Sequence, residues 1–295
     1  MNRSTLWRGI GWSLLSVGIF AGWFVTTRFS VTHELRFWDV IALRFGIGAV
    51  LLLPVLLLRW QRLRARAGEG LLYAFLWGAP FVLLLTLGLQ LSSAAQSSAV
   101  TPTLMPVFAG LIGALFFGQA LGRARILAYL AIAGGMLILW LLHPVQGVQS
   151  HPAALVPLLL ASIMWATYTV RFKRSDLTPL ESATLMCIWS ALLFLPLYFS
   201  LGLSRLGTAS AREILVQGFY QGVLMCVVAI ISFNRAVTLI GPRAAAAIIA
   251  FVPVLSALLA IPFLGEVPTP SGTLAILLIA SGVVLAAWQK TTART

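Results

Sequence analysis

The sequence predicts an all-helical polytopic membrane protein with ten transmembrane helices arranged as two inverted five-helix halves. Three observations carry that expectation: the composition, ten apolar stretches of spanning length, and an internal repeat with an odd number of spans. Of the 295 residues, 60% are hydrophobic and 9% are charged. An ordinary soluble chain has about 45–50% apolar and about 25% charged residues. A mean hydropathy of +0.99 therefore makes lipid the solvent. In lipid only helices and closed barrels satisfy the backbone. Barrel strands alternate apolar and polar side chains, whereas runs such as 51–58 and 276–287 are continuously apolar, which selects helices.

A span needs about 20 apolar residues to cross about 30 Å of hydrocarbon. The first, 9–28, follows Arg8 and has no small-x-small cleavage site, so it is expected to stay on the chain. The second, 38–58, contains Arg44 and Pro54. The third, 70–91, carries Pro80, and the fourth, 95–117, carries Pro102 and Pro106 with small residues at Gly110, Ala114, Gly118 and Gly122. That four-residue stripe allows close helix packing and is read as structural. The remaining spans are 125–142, 152–171, 180–201, 213–234, 243–264 and 271–288, all joined by short connections. Trp7, Trp38, Trp60 and Trp288 fall at span ends, where amphipathic rings anchor at the headgroup level.

The net charge of +13 is spread in short clusters between spans, which is a topology signal and not a nucleic-acid patch. With a cytoplasmic N-terminus, the inner segments hold fifteen basic residues: Arg3, Arg8, Arg59, Arg62, Arg64, Arg66, Arg123, Arg125, Arg171, Lys173, Arg174, Arg235, Arg243, Lys290 and Arg294. The outer segments hold four, Arg28, Arg36, Arg205 and Arg212. Both termini are thus expected in the cytoplasm of a multi-pass bacterial inner-membrane protein. Cys187 and Cys226 lie in apolar spans and are read as buried free thiols.

Self-comparison shows the repeat. At an offset of 142, Trp23 aligns with Trp165, Asp39 with Glu181 and Pro54 with Pro196. At 147, Tyr73 aligns with Tyr220, Pro106 with Pro253, Gly118 with Gly265 and Gly135 with Gly282. The longer 200–212 loop absorbs the difference. Because each copy holds five spans, the second must enter the bilayer from the opposite side. Inverted repeats are the architecture of alternating access around a midplane site.

The segments 88–121 and 233–268 resemble the EamA domain of the drug/metabolite transporter superfamily: a small-residue helix start, a central proline followed by Val, and a closing Gly-Glu. The second copy has Pro253 and Gly265-Glu266; the first has Pro106 and Gly118 but Gln119 in place of Glu. Gly22-Trp23 and Trp165-Ala166 resemble the tryptophan and small-residue pair of the family's first helix, and Arg44 resembles an arginine early in its second. The resemblance covers nearly the whole chain, as one repeat over 1–147 and another over 148–295. It implies transport of metabolites, frequently amino-acid export.

For the substrate site, side chains three or four apart share a helical face. The candidates are Phe20, Trp23 and Thr27; Tyr73 and Trp77; Ser97, Ser98 and Thr101; Ser162, Trp165 and Tyr168; and Gln217 and Gln221. Of these, Trp23, Trp77, Ser98, Thr101, Trp165, Tyr168, Gln217 and Gln221 form the expected lining, which suits a solute with a flat apolar part and a polar head. Pro106 and Pro253 are the expected bending points in cavity walls. Arg44 has three readings. It holds a substrate carboxylate, it snorkels to the outer boundary, or it pairs with Asp39; the structural readings are favoured because the boundary is within snorkelling reach.

All seven carboxylates, Glu34, Asp39, Glu69, Asp176, Glu181, Glu213 and Glu266, lie in loops or near span ends. With no mid-membrane acid or histidine for a proton relay, export down a gradient is expected, or coupling through an interfacial group such as Glu266. His33, His143 and His151 fall in outer loops away from any nucleophile, acid pair or metal cluster, so no catalytic residue, metal or cofactor is expected. The expected partners are a small-molecule substrate and the bilayer. The alternatives are an uptake permease and a membrane interaction protein without flux.

Overall fold

The computed structural model describes residues 3–118, 122–142, 145, 150–249 and 251–288. They form helices joined by turns and short loops, with one isolated antiparallel bridge, Val145 to Pro268, among the described residues. The first repeat comprises α1 (Arg3–Thr32), α2 (Phe37–Leu58), α3 (Trp60–Ala65), α4 (Ala67–Trp77), α5 (Ala79–Leu91), α6 (Ala94–Phe117) and α7 (Arg123–Leu141). The second comprises α8 (Leu155–Phe172), entered through a 3₁₀ turn at Pro152–Ala154, then α9 (Pro179–Ser200), α10 (Ala211–Gln217), a π-helical stretch (Gly218–Ala229), α11 (Ile230–Ile249), α12 (Val252–Leu264) and α13 (Pro270–Trp288). Among the described residues, seven helical stretches are long and apolar enough to cross a membrane; Ile126–Leu141, Val252–Leu264 and Pro270–Leu285 are apolar but shorter.

The stretch 70–91 is not one helix. Gly78 ends α4 with a non-helical backbone (φ −93°, ψ −138°), and Pro80 sits in the first turn of α5, where its missing N–H has no intrahelical partner to lose. A second break falls at Gly241 (φ 80°, ψ 160°), a region that glycine tolerates and residues with a Cβ do not. A third separates α11 from α12, so Pro253 starts a helix, whereas its repeat partner Pro106 lies inside the unbroken α6 and frees a carbonyl there. The two prolines expected to bend walls alike therefore do different things. The small-residue stripe runs along α6 from Gly110 to Gly118, where the helix ends.

The repeat is visible in how the elements are capped and packed. Asp39 accepts from the Arg36 N–H at the start of α2, and Glu181 accepts from the Thr178 N–H at the equivalent start of α9. Gly118 and Gly265 end α6 and α12 in the same left-handed conformation (φ 61° and 67°). Helices α7 and α13 exchange equivalent contacts. A Cβ on Gly135 would lie 2.6 Å from Ile279 Cγ1 and 3.1 Å from the Ala275 carbonyl oxygen; one on Gly282 would lie 2.9 Å from Ile132 Cγ1 and 3.1 Å from the Ala128 carbonyl oxygen. The two sets are related by the 147-residue offset, and the helices run antiparallel. Such a pair has a local twofold axis perpendicular to its length.

Packing then crosses between the copies: α1 lies against α11 and α12, while its counterpart α8 lies against α5 and α6. Helices α2 and α9 pack on each other, α2 also on the π-helical stretch and α9 also on α4. The loops sort into two ends. At one, Glu34 accepts from the Ser210 N–H (2.6 Å), Asp39 from the Arg205 N–H (2.9 Å) and Glu213 from the Ser30 hydroxyl. At the other, Glu181 meets Arg59 (2.9 Å) and Arg62 (3.0 Å), Asp176 meets Arg66 (2.8 Å), and the Arg174 guanidinium lies 3.4 Å from the centre of the Phe117 ring. Trp7 and Trp60 are 69% and 51% exposed at helix ends, as anchors require, while Trp38 stacks on Phe194. Of the Trp288 anchor only the backbone is described, and Gln119 and His143 lie outside the described residues.

Replacing Gly135 with valine should drive a branched side chain into the α13 backbone and cost about 1–3 kcal/mol. The midpoint of thermal unfolding in detergent micelles should fall by several degrees and recover in part when Ile279→Ala is added. An unchanged midpoint for Gly135→Val would contradict this contact.

Candidate functional site

The candidates from the sequence fall into two neighbouring groups and one outlying set. The first group is aromatic and draws on both repeats. Trp77 of α4 stacks on Trp165 of α8 (centroids 5.7 Å, planes 15° apart) and lies 4.6 Å from Tyr168. Phe20 of α1 meets Trp165 edge-on at 5.7 Å, and Tyr73 meets Tyr168 edge-on at 5.0 Å. Phe233 of α11, absent from the sequence-based list, lies 5.8 Å from Trp165 and 5.9 Å from Trp77. Phe81 completes the cluster 6.2 Å from Trp165. All seven rings are buried.

Polar atoms border the rings. The Tyr168 hydroxyl is 2.9 Å from the Ser182 hydroxyl and accepts from Asn234 Nδ2 at 3.2 Å. Two buried atoms here have no partner, the Trp165 Nε1–H donor and the Asn234 Oδ1 acceptor. The repeat explains the first. Trp23, the counterpart of Trp165, donates to Gln221 Oε1 at 2.6 Å, whereas the position equivalent to Gln221 in the first copy is Ala74, which has no acceptor to offer.

The second group is that Trp23–Gln221 pair with its neighbours. Gln221 Nε2 donates to Thr27 Oγ1 (2.9 Å) and Gln217 Oε1 (3.0 Å), and Gln217 Nε2 donates to the Thr26 carbonyl (2.8 Å). The π-helical stretch carries Gln221 and Cys226, and its wider turn sets these side chains toward α1 and α2. The Arg44 guanidinium carbon lies 5.9 Å from the Trp23 ring centre and 5.5 Å from that of Phe45. Phe20, one turn before Trp23 on α1, links this group to the aromatic one.

The hydroxyl set stands apart. Ser98 donates to its own helix at the Ala95 carbonyl (3.0 Å), Ser162 to the Leu158 carbonyl (2.7 Å), and Thr101 weakly to the same carbonyl (3.4 Å). Ser97 pairs with Ser92 (2.8 Å). These contacts hold α6 and α8 in place, so Ser98 and Thr101 do not join the two groups. A separate open groove of about 770 Å³, walled by Leu71, Phe75, Leu83, Leu193, Phe194 and Leu197, holds none of the lining expected from the sequence; its exposed leucines make it a surface for lipid chains.

One end of the bundle is closed over α1 by a buried carboxylate. Glu266 accepts from the Ala94 N–H at the start of α6 (2.9 Å) and from Arg28 Nε (3.3 Å), while Arg28 also donates to the Leu89 carbonyl (2.6 Å). Burial pushes the Glu266 carboxyl above the ordinary 4.5, partly offset by the Ala94 N–H and Arg28. Among the described residues no group of His, Cys, Asp and Glu is arranged to hold a metal ion.

The family described as the EamA-like transporter family matches twice, over residues 7–141 and 153–288. No curated protein matches the chain. A solved crystal structure is similar over 98% of this chain and 99% of its own, with 20% sequence identity and a TM-score of 0.63, a likeness of fold.

A carboxyl whose folded value is raised stabilises the protein below the ordinary carboxylate value, and that stability is lost as pH rises through the folded value. Between pH 4.5 and that higher value, wild-type unfolding midpoints should decline with pH more steeply than those of Glu266→Gln, which cannot ionise. Superimposable pH profiles would contradict a buried, titrating Glu266.

Proposed function

The chain belongs to the EamA-like transporter family of the drug/metabolite transporter superfamily, and from that premise we propose that it exports small amphipathic metabolites, amino acids and above all aromatic ones, by alternating access. Membrane transport of small molecules is the activity of the family, and bond chemistry is not. The finer reading concerns the solute, the direction and the mechanism.

The observation that carries it is the aromatic cluster shared by the two repeats, with an unpaired donor on Trp165 and an unpaired acceptor on Asn234 at its edge. Stacked rings accept a flat apolar group by offset or edge contact. A buried polar atom without a partner costs about 1–3 kcal/mol, which a solute bearing an amino or carboxyl group removes. The cluster sits where helices of both copies meet, the place where inverted-repeat transporters hold their cargo.

In this reading the repeats 1–147 and 148–295 are two inverted halves of five spans each that rock around Phe20, Trp23, Trp77, Trp165, Tyr168, Gln217 and Gln221. The breaks at Gly78, at Gly241 and before Pro253 supply the bends, while Pro106 frees a carbonyl within α6. The end closed by Arg28 and Glu266 faces outward, both termini face the cytoplasm, and the membrane is the bacterial inner membrane. The excess of basic residues in the opposite loops supports that orientation. Movement is downhill or coupled through Glu266, the buried carboxylate that bridges Arg28 and the start of α6.

The test is efflux from proteoliposomes loaded with a panel of radiolabelled amino acids. Aromatic amino acids should leave fastest. Trp165→Ala should slow them at least tenfold on the order of the stacking and hydrogen-bond energy lost, while Trp165→Phe, which keeps a ring without the N–H, should fall between. Equal rates for wild type and a normally inserted Trp165→Ala would remove that residue from the site, and an absence of flux for every solute would sink the export reading.

A further inference from the structure

Arg44 is 1% exposed, its side chain enclosed by protein and not extended to either boundary. Nor does it pair with Asp39, whose oxygens are taken by the Tyr198 hydroxyl and the backbone N–H groups of Arg36 and Arg205. All seven side-chain carboxylates of the chain lie in described residues. Each is engaged elsewhere: Glu34 with Ser210, Glu69 with Tyr73, Asp176 and Glu181 with the arginines after α2, Glu213 with Ser30, and Glu266 with Arg28. The adjacent Cys226 sulfur lies 3.0 Å from the Arg44 backbone carbonyl oxygen and supplies no carboxylate. Arg44 Nε and Nη1 have no hydrogen-bond partner at all.

Arginine keeps its charge in proteins. A buried cation with no counter-charge is strongly destabilising, and an intramembrane ionisable side chain that persists in that state marks a pathway or a ligand. We infer that Arg44, backed by Trp23 and Gln221, is the subsite that receives the carboxylate of the transported solute. The inference rests on the proposed transport function and narrows its substrate class. A solute with its carboxylate on the guanidinium lays its flat part against Trp23 and Phe20, where the second group borders the aromatic one. Charge-assisted hydrogen bonds from Arg44 then satisfy Nε and Nη1 and neutralise both charges inside hydrocarbon. The acids nearest this path, Glu69 on the Tyr73 hydroxyl and Glu213 one turn from Gln217, are already engaged by hydroxyls. The recognised charge is therefore the carboxylate, and aryl acids lacking an amino group fall within the substrate class.

The test measures binding first, so that it does not depend on flux. Purified full-length protein in lipid nanodiscs is titrated with radiolabelled phenylacetate, with phenylalanine and phenethylamine as competitors. Phenylacetate should bind, phenylalanine should displace it, and phenethylamine should not. Arg44→Lys, which keeps the charge without the planar fork, should weaken binding on the order of tenfold, and Arg44→Gln should abolish it. Failure of phenylacetate to bind the wild type, displacement by phenethylamine, or unchanged binding to Arg44→Lys or Arg44→Gln would each overturn the inference. If Arg44→Gln does not fold, the lysine variant and the wild-type competition still decide. Binding of phenylacetate without flux in proteoliposomes would sink the transport reading and leave this subsite standing; amino-acid flux indifferent to Arg44→Gln would do the reverse.

Discussion

Inside hydrocarbon a polar group has only the protein to pair with, and this chain meets that constraint largely across its two repeats. Trp23 donates to Gln221, the Ser16 and Ser232 hydroxyls meet at 2.8 Å, and Gln217 and Tyr220 donate to carbonyls of α1. Ser256 donates to the Ala21 carbonyl at 3.2 Å. Helix α1 is thus held by the π-helical stretch, α11 and α12 of the other copy. Neither repeat satisfies its own polar groups alone, which is why the two form one bundle with one shared interior.

The same constraint picks out the exceptions. Most buried hydroxyls and amides near the centre have partners, while Trp165 Nε1, Asn234 Oδ1, Arg44 Nε and Arg44 Nη1 do not. These four atoms lie in the two adjoining groups where helices of both copies converge, while Ser13 on α1, Thr103 on α6 and Trp140 on α7 each keep one more buried atom without a partner. Duplication accounts for part of this. The two copies place a tryptophan at the same point of their first helices, and divergence has left one with a glutamine acceptor and the other facing alanine. Symmetry built the frame, and departures from symmetry made the two sides of the site chemically different.

Much of this was legible in the sequence. Continuous apolar runs, the in-and-out alternation of charge and the repeat offsets gave the helical bundle and its twofold relation, because they are long-range regularities of spacing. Trp23, Trp77, Trp165, Tyr168, Gln217 and Gln221 were legible as aromatic and amide side chains sharing helical faces. Ser98 and Thr101 were legible as hydroxyls on a shared face, and both donate to helix carbonyls, which satisfy a hydroxyl as well as a solute does; spacing does not tell the two apart. The breaks at Gly78 and Gly241 had a signal that went unread, glycine followed at once or after one residue by proline. Phe233 and Asn234 were missed because one phenylalanine among seventeen carries no local mark of function. The isolation of Arg44 is a three-dimensional fact: only the placement of every carboxylate shows that none is left for it.

The account stands on two copies that cross the bilayer with opposite polarity around one interior. In a background with Cys187 and Cys226 replaced by alanine, single cysteines at Ala67 and Ser271 can be challenged with a membrane-impermeant maleimide. The residue-67 thiol should react only in inside-out vesicles and the residue-271 thiol only in intact cells. Reaction of both from the same face would contradict the inverted arrangement and the shared site built on it.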